Sequence, residues 1–152
     1  MIEAGVSRRA FLAGTSISAL ALFIAPKAAF ADVQAVEEEM KKLFGDKMIS
    51  EGRVTLDVPQ IAENGLVVPM NIDVESPMTE DDYVKAVHVF AEGNPLPGVI
   101  SYHFTPASGR ASASNRIRLA RTQNLVAIAE MSDGTLHMAK AEVKVTIGGC
   151  GG

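Results

Sequence analysis

The sequence predicts a mainly β protein, an antiparallel β-sandwich that is preceded by one helix. About seven short apolar stretches are separated by turn residues at a spacing of roughly 8–12 residues, which is the pattern of an antiparallel sandwich. No stretch of helical length lies between them, and this argues against a parallel α/β sheet. The chain has 152 residues, of which 47% are hydrophobic and 21% charged, and this composition fits one folded domain.

The first 31 residues are predicted to be an export signal and not part of that domain. Arg8 and Arg9 precede an apolar run of small residues that Pro26 interrupts. The run covers about 15 residues, whereas a membrane-spanning helix needs roughly 20. A small-x-small cleavage pattern ends at Ala31. The segment resembles a twin-arginine signal peptide, so we expect cleavage after it and a periplasmic protein without membrane insertion. A membrane anchor or a buried N-terminal helix is the less favoured alternative.

A helix is predicted over residues 32–45, at the start of a domain that spans residues 32–147. Asp32 is a good N-cap residue and Gly45 is a typical helix terminator. Apolar residues recur at helical spacing and define one face of the helix: Val33, Val36, Met40, Leu43 and Phe44. That face can pack on the domain or dock on a partner chain, and we favour the first interpretation.

The strands of the sandwich are predicted after the helix, from residue 53 onward. They are predicted at residues 53–58, 66–74, 83–92, 99–104, 115–119, 125–131 and 136–147. Pro69 cannot donate to a ladder, so an edge or a bulge is expected there. The pair Asp133-Gly134 predicts a tight hairpin between the last two strands. Residues 106–114 are small and polar, and we expect them to form a loop.

Charge and composition exclude several classes of function. The net charge is −4, which argues against a nucleic-acid partner. A single cysteine excludes an internal disulfide framework and a cysteine-rich metal site. The histidines, His88, His103 and His137, lack metal-ligand spacing and are interpreted as surface or paired sandwich residues. Neither a phosphate-binding glycine loop nor a serine-nucleophile motif is present. We therefore predict no catalytic residue, no metal and no cofactor.

The last five residues carry the chemistry that the domain lacks. Cys150 stands between two glycine pairs, formed by Gly148, Gly149, Gly151 and Gly152. Glycine permits many backbone conformations, so the segment is predicted to be a thin, flexible arm. Three residues beyond Ile147 extend at most roughly 10 Å. Such an arm cannot hold a base and oxyanion donors around the sulfur. Three interpretations of the thiol remain. It is a group on which the active sites of other proteins act, it forms an intermolecular disulfide, or it belongs to a tail without a function.

This C-terminal motif closely resembles that of the SoxY family, the sulfur-carrier subunits of the periplasmic thiosulfate-oxidising (Sox) system. The signal-like N-terminus agrees with it, as do four stretches of the mature chain: residues 61–65, 68–69, 94–97 and 118–120. The resemblance implies an immunoglobulin-like sandwich with an N-terminal helix and a swinging C-terminal arm. It also implies that Cys150 carries thiosulfate-derived intermediates covalently and that the protein is a carrier without catalytic activity.

The resemblance further implies a set of partners. These are a SoxZ-like β-sandwich subunit in a heterodimer, a c-type cytochrome, a sulfate-releasing hydrolase and a sulfane dehydrogenase. A homodimer linked through Cys150 is possible in an oxidising compartment. The competing hypothesis is an exported interaction module whose function is to dimerise through that disulfide.

Overall fold

A computed structural model describes residues 32–147, which form one helix, nine strands and a short 3-10 helix. The helix, α1, spans Val33–Phe44. The strands are β1 (Ile49–Glu51), β2 (Val54–Asp57), β3 (Ile61–Ala62), β4 (Val68–Val74), β5 (Val84–Ala91), β6 (Gly98–His103), β7 (Ala111–Ile117), β8 (Gln123–Met131) and β9 (Leu136–Val145). The 3-10 helix covers Pro106–Ser108. No helix in this part of the chain is long and apolar enough to cross a membrane.

Helix α1 begins and ends where its capping residues predict. The Asp32 Oδ1 atom accepts a hydrogen bond from the backbone N–H of Ala35 at 3.0 Å, which satisfies one of the unpaired donors of the first turn. Gly45 has a φ of 68°, and its N–H donates to the carbonyl of Lys41 at 2.9 Å. A glycine adopts this backbone conformation without strain, so it stops the helix.

The strands form two sheets, as a sandwich requires. The larger sheet has the order β1-β9-β8-β5-β6, with β3 added to β9, and the smaller one has the order β2-β4-β7. Strands β8 and β9 form an antiparallel hairpin around Asp133 and Gly134, and Gly134 has a φ of 83°. The predicted mainly β sandwich with one N-terminal helix is therefore confirmed.

The central strands of the larger sheet are buried on both faces. One face of β5 and β8 packs toward the smaller sheet through residues such as Val87 and Leu125. The opposite face packs under α1, where Phe90 and Ile128 meet Val36 and Phe44 of the helix. Because α1 covers this face, the favoured interpretation of the helix, packing on its own domain, is correct.

Three details differ from the sequence-based expectation. Strands β1 and β3 were not predicted, and both pair in parallel with β9. Strand β7 begins at Ala111, within the segment expected to be a loop, and ends at Ile117 instead of residue 119. The reason is its ladder with β4, which pairs Val68–Val74 with Ala111–Ile117. Pro69 lies beyond the last β2–β4 pair, at Asn71, so it has a neighbouring strand on one side only, as expected.

Candidate functional site

The residues singled out by the sequence lie at the two ends of the chain. Cys150, its four glycine neighbours at 148, 149, 151 and 152, and the signal residues Arg8 and Arg9 all fall outside the described residues 32–147. Ile147 is the last described residue before Cys150. The structure therefore defines the site through the residues that hold Ile147 in place.

The end of β9 is hydrogen-bonded to the segment of β3 and the turn that follows it. The Thr146 N–H donates to the Ala62 carbonyl at 3.1 Å, and the Gly65 N–H donates to the Ile147 carbonyl at 2.8 Å. The Thr146 hydroxyl donates to the carbonyl of Glu63 at 3.0 Å. These bonds fix the chain as far as Ile147, so the residues that follow start from a defined point.

The opposite side of β9 is held by a side chain from the connection between β7 and β8. The backbone N–H of Val145 donates to the Thr122 hydroxyl at 2.9 Å. The terminal part of β9 is therefore anchored on both sides, by residues 62–65 and by Thr122.

The stretches that carry the family resemblance meet around this anchor. Gly65, which binds Ile147, also accepts a hydrogen bond from the N–H of Leu119 at 2.8 Å. Asn94 connects residues 94–97 to residues 118–120. Its Nδ2 donates to the Arg118 carbonyl at 2.9 Å, and its Oδ1 accepts from the Ala120 N–H at 3.0 Å. Stretches that are distant in sequence are thus joined at one end of the sandwich, the end at which the chain leaves toward Cys150.

One residue of this end, Gln123, was missed by the sequence analysis. Its side chain is only 6% exposed, and it is the buried polar residue of the described core. The Gln123 Oε1 accepts from the Gly93 N–H at 2.7 Å, and its Nε2 donates to Asn94 Oδ1 and to the Arg121 carbonyl, each at 3.0 Å. A Cβ atom at Gly93 would lie 2.9 Å from the Cβ of Gln123, so the close approach requires glycine there. A lone glutamine carries no sequence signal for such a role.

Replacing Gln123 with leucine should lower the free energy of unfolding by about 1–3 kcal/mol, because the Gly93 N–H loses its acceptor in a buried position. Thermal and urea unfolding of the purified domain measure the change. Gln34→Leu, at an exposed position of α1, is the matched control and should stay within about 0.5 kcal/mol of the wild type. Equal stabilities of the two variants would contradict this role for Gln123.

Two of the three histidines form a pair beside the end of α1. The His88 and His103 rings lie on the adjacent strands β5 and β6, with centroids 6.2 Å apart, and the Phe44 ring lies 5.4 Å from that of His88. The His88 Nδ1 atom is 2.8 Å from the Ser101 hydroxyl. The Nδ1 atom of His137 is buried and has no hydrogen-bond partner among the described residues. Within residues 32–147, no group of three or more potential ligands is placed to hold a metal ion.

The position of His88 makes the stability of the fold dependent on pH. Burial lowers the pKa of His88 below its ordinary value of 6.5, and the neighbouring His103 lowers it further, while Glu130 acts in the opposite direction. The unfolded chain therefore binds more protons than the folded one at pH values between the lowered pKa of His88 and about 6.5. The contribution of neutral His88 to stability is complete above this pH and is lost as the pH falls through the lowered pKa.

We expect the melting temperature of the wild type to fall between pH 7.5 and pH 5, and His88→Gln to reduce this dependence. The glutamine amide retains a polar partner for Ser101 and does not titrate. Calorimetry of both proteins over this range tests the prediction, since the carboxylates that also titrate are common to both. A constant difference in melting temperature at every pH would show that His88 is not responsible.

Comparison with known proteins identifies the family. The profile of the family described as sulfur oxidation protein SoxY matches residues 40–150, a range that ends at Cys150. The structure is similar to the sulfur carrier protein SoxY from Chlorobium limicola, with 31% sequence identity and a TM-score of 0.63, over 75% of this chain and 98% of the other. No curated protein sequence gives a significant match.

More distant structural similarities concern the fold alone. A superoxide reductase from Ignicoccus hospitalis is 17% identical, with a TM-score of 0.56, over 74% of this chain and 90% of the other. A putative superoxide reductase from Thermotoga maritima is 18% identical, with a TM-score of 0.52, over 70% of this chain and 89% of the other. The extent of the family match and the similarity to the Chlorobium protein together lead to one conclusion: the chain belongs to the SoxY family of sulfur-oxidation carrier proteins.

Proposed function

We propose that this protein is a periplasmic carrier that binds thiosulfate-derived intermediates covalently on Cys150 and presents them to the enzymes of a Sox system. The observation that carries this proposal is the SoxY family match, which extends to Cys150, the only cysteine of the chain. The anchored end of β9 supports it, because this end of the sandwich determines where the carrier arm, residues 148–152, begins.

The loading step is an oxidation that joins two sulfur atoms. The Cys150 thiolate and thiosulfate lose two electrons together, and a new S–S bond gives a cysteine S-thiosulfonate. A c-type cytochrome accepts the two electrons. A thiolate is the form of cysteine that reacts in such exchanges, so the thiol proton is released to solvent.

The following step releases sulfate and leaves one sulfur on the arm. A hydrolase adds water across the S–SO₃ bond, so that sulfate and two protons leave and a persulfide anion remains on Cys150. A sulfane dehydrogenase then oxidises the remaining sulfur to a sulfonate with oxygen from three water molecules, and a c-type cytochrome accepts the six electrons while six protons are released. In this scheme the active sites belong to the partner enzymes, and the chain itself is the non-catalytic carrier subunit.

A SoxZ-like β-sandwich subunit completes the proposed functional unit. The outer edge of β6, which pairs with no further strand among residues 32–147, supports such a partner. This strand ends one side of the larger sheet, and its six residues include neither a lysine nor a proline that would block further pairing. Export of a folded pair by the twin-arginine pathway accounts for a signal with Arg8 and Arg9 on a protein whose sequence predicts no cofactor.

Reconstituted loading tests the proposal against the disulfide alternative. Reduced protein is incubated with thiosulfate and the loading cytochrome, and its intact mass is measured under non-reducing conditions. We expect one thiosulfate unit per chain and two electrons delivered to the cytochrome. Exclusive formation of Cys150-linked dimers would instead favour the interaction module.

A further inference from the structure

Exposed apolar side chains are concentrated where the chain leaves the sandwich. Of the eight large hydrophobic residues that are exposed within residues 32–147, five lie on the segments joined around Ile147: Ile61, Leu66, Val67, Leu96 and Ile147. Leu96 is 74% exposed and Ile147 is 68% exposed. The other three lie on α1 or on the residues that follow it. Exposed apolar side chains on segments that hydrogen bonds join to one another are typical of an interaction site.

Two cations without partners lie within the same end of the molecule. Arg116 and Arg118 are exposed, and neither side chain forms an ion pair or hydrogen bond with the described residues. Together with Leu96 they line a cleft of about 420 Å³. We call these two arginines and the five apolar residues the arm-base surface.

The two arginines of the arm-base surface have a charge opposite to the net charge of the domain, and the exposed Glu63 is the acidic residue between Ile61 and Leu66. Residues 32–147 contain 11 basic and 17 acidic residues, a net charge of −6. Unpaired cations on an acidic domain favour a partner with acidic groups at the matching positions, since complementary charges at the rim of an interface increase the association rate.

The length of the arm determines how near an enzyme must come. Cys150 is three residues beyond Ile147, a distance of at most roughly 10 Å in an extended chain. If Cys150 reacts in a recessed active site, as the proposed function requires, the entrance of that site must lie against the residues around Ile147. An enzyme that binds the arm-base surface therefore has the entrance of its active site next to Ile147.

We propose that the arm-base surface is the docking site for the rim of the catalytic channel that receives Cys150. Apolar residues of the rim pack on Ile61, Ile147 and their neighbours, and acidic residues of the rim face Arg116 and Arg118. This inference rests on the proposed carrier function and adds to it a recognition surface on the folded domain. Binding at this surface offsets part of the free energy needed to place the arm in the channel.

Charge reversal at the two arginines tests the electrostatic part of the docking. The wild type and the double variant Arg116→Glu with Arg118→Glu are loaded chemically with thiosulfonate and are used as substrates of the sulfate-releasing hydrolase. We expect KM to rise by roughly tenfold at low ionic strength with kcat unchanged, and the difference to shrink as salt is added. The double variant Lys41→Glu with Lys42→Glu, at exposed positions of α1, has the same change in net charge and should keep the wild-type KM.

A single substitution tests the apolar part. Leu96→Ser should raise KM severalfold, whereas Met48→Ser should not, although Met48 is 88% exposed and so comparably accessible. Alkylation of Cys150 by iodoacetamide should proceed at the same rate in all variants, because none of them alters the thiol.

The possible results separate this inference from the proposed function. A wild-type protein that the Sox enzymes neither load nor hydrolyse would overturn the carrier function and the docking surface with it. A processed wild type with unchanged KM in the arginine and Leu96 variants would overturn the docking surface alone. Loss of the 1:1 complex with the SoxZ-like subunit in these variants, or a change in self-association, measured by sedimentation, would also overturn it, because the surface would then be covered by that subunit or by a second copy.

Discussion

Replacement of Cys150 by serine is expected to abolish thiosulfate loading and leave the folded domain unchanged. The serine hydroxyl cannot form the S–S bond that the proposed loading step requires. Position 150 follows Ile147, the last described residue, in the sequence, and we expect the free energy of unfolding to stay within about 0.5 kcal/mol of the wild type, as for most substitutions away from the core. Mass spectrometry after incubation with the loading cytochrome measures the thiosulfate loading, and thermal unfolding measures the stability of the domain.

The matched control for this experiment is a serine substitution elsewhere in the chain. Ala107→Ser, at an exposed position of the 3-10 helix, should load to the same extent as the wild type. A thiosulfate adduct on the Cys150→Ser protein would place the attachment point elsewhere and would contradict the carrier assignment of Cys150.

Replacement of both Arg8 and Arg9 by lysine is expected to leave nearly all of the protein in the cytoplasm as uncleaved precursor. The twin-arginine pathway recognises the arginine pair itself, and the guanidinium group differs from an ammonium in its planar geometry and number of donors. Cell fractionation and the mass of the N-terminus measure the outcome. Lys27→Arg, in the same segment, keeps the pair and should be exported normally.

Normal export of the double lysine variant would exclude the twin-arginine route. Export in that case would require another pathway, and the argument for a folded heterodimer as the exported unit would be lost.

Local sequence signals predicted the elements whose ends are determined by local hydrogen bonds. Asp32 and Gly45 mark the two ends of α1 because their capping bonds involve residues only three or four positions away. The Asp133-Gly134 pair predicted the β8–β9 hairpin for the same reason, since the positive φ at Gly134 is a local requirement of the turn.

The elements that were missed depend on distant partners. Strands β1 and β3 have three and two residues, too few for a periodic pattern, and they exist because each pairs with β9. Strand β7 begins with alternating alanine and serine, residues that resemble a loop in composition. Its seven pairs with β4 override that weak local preference.

The candidate site also has one part that the sequence predicts and one part that only the fold reveals. Cys150 remains a prediction, and the sequence singles it out because a cysteine between four glycines is conspicuous. The sequence did not predict the anchor around Ile147, because its donors and acceptors at residues 62, 65, 94 and 119 come from the end of β3 and from two other segments that only the folded sandwich brings together.

The most direct test of the carrier function is the state of Cys150 in cells that are oxidising thiosulfate. Periplasmic protein is trapped with an alkylating reagent, digested, and the mass of its C-terminal peptide is determined. A carrier predicts that a fraction of the Cys150 peptides bears a thiosulfonate or a sulfane sulfur, and that this fraction rises when thiosulfate is supplied. Cys150 found only as free thiol or as a disulfide between two chains, whatever the supply of thiosulfate, would contradict the account.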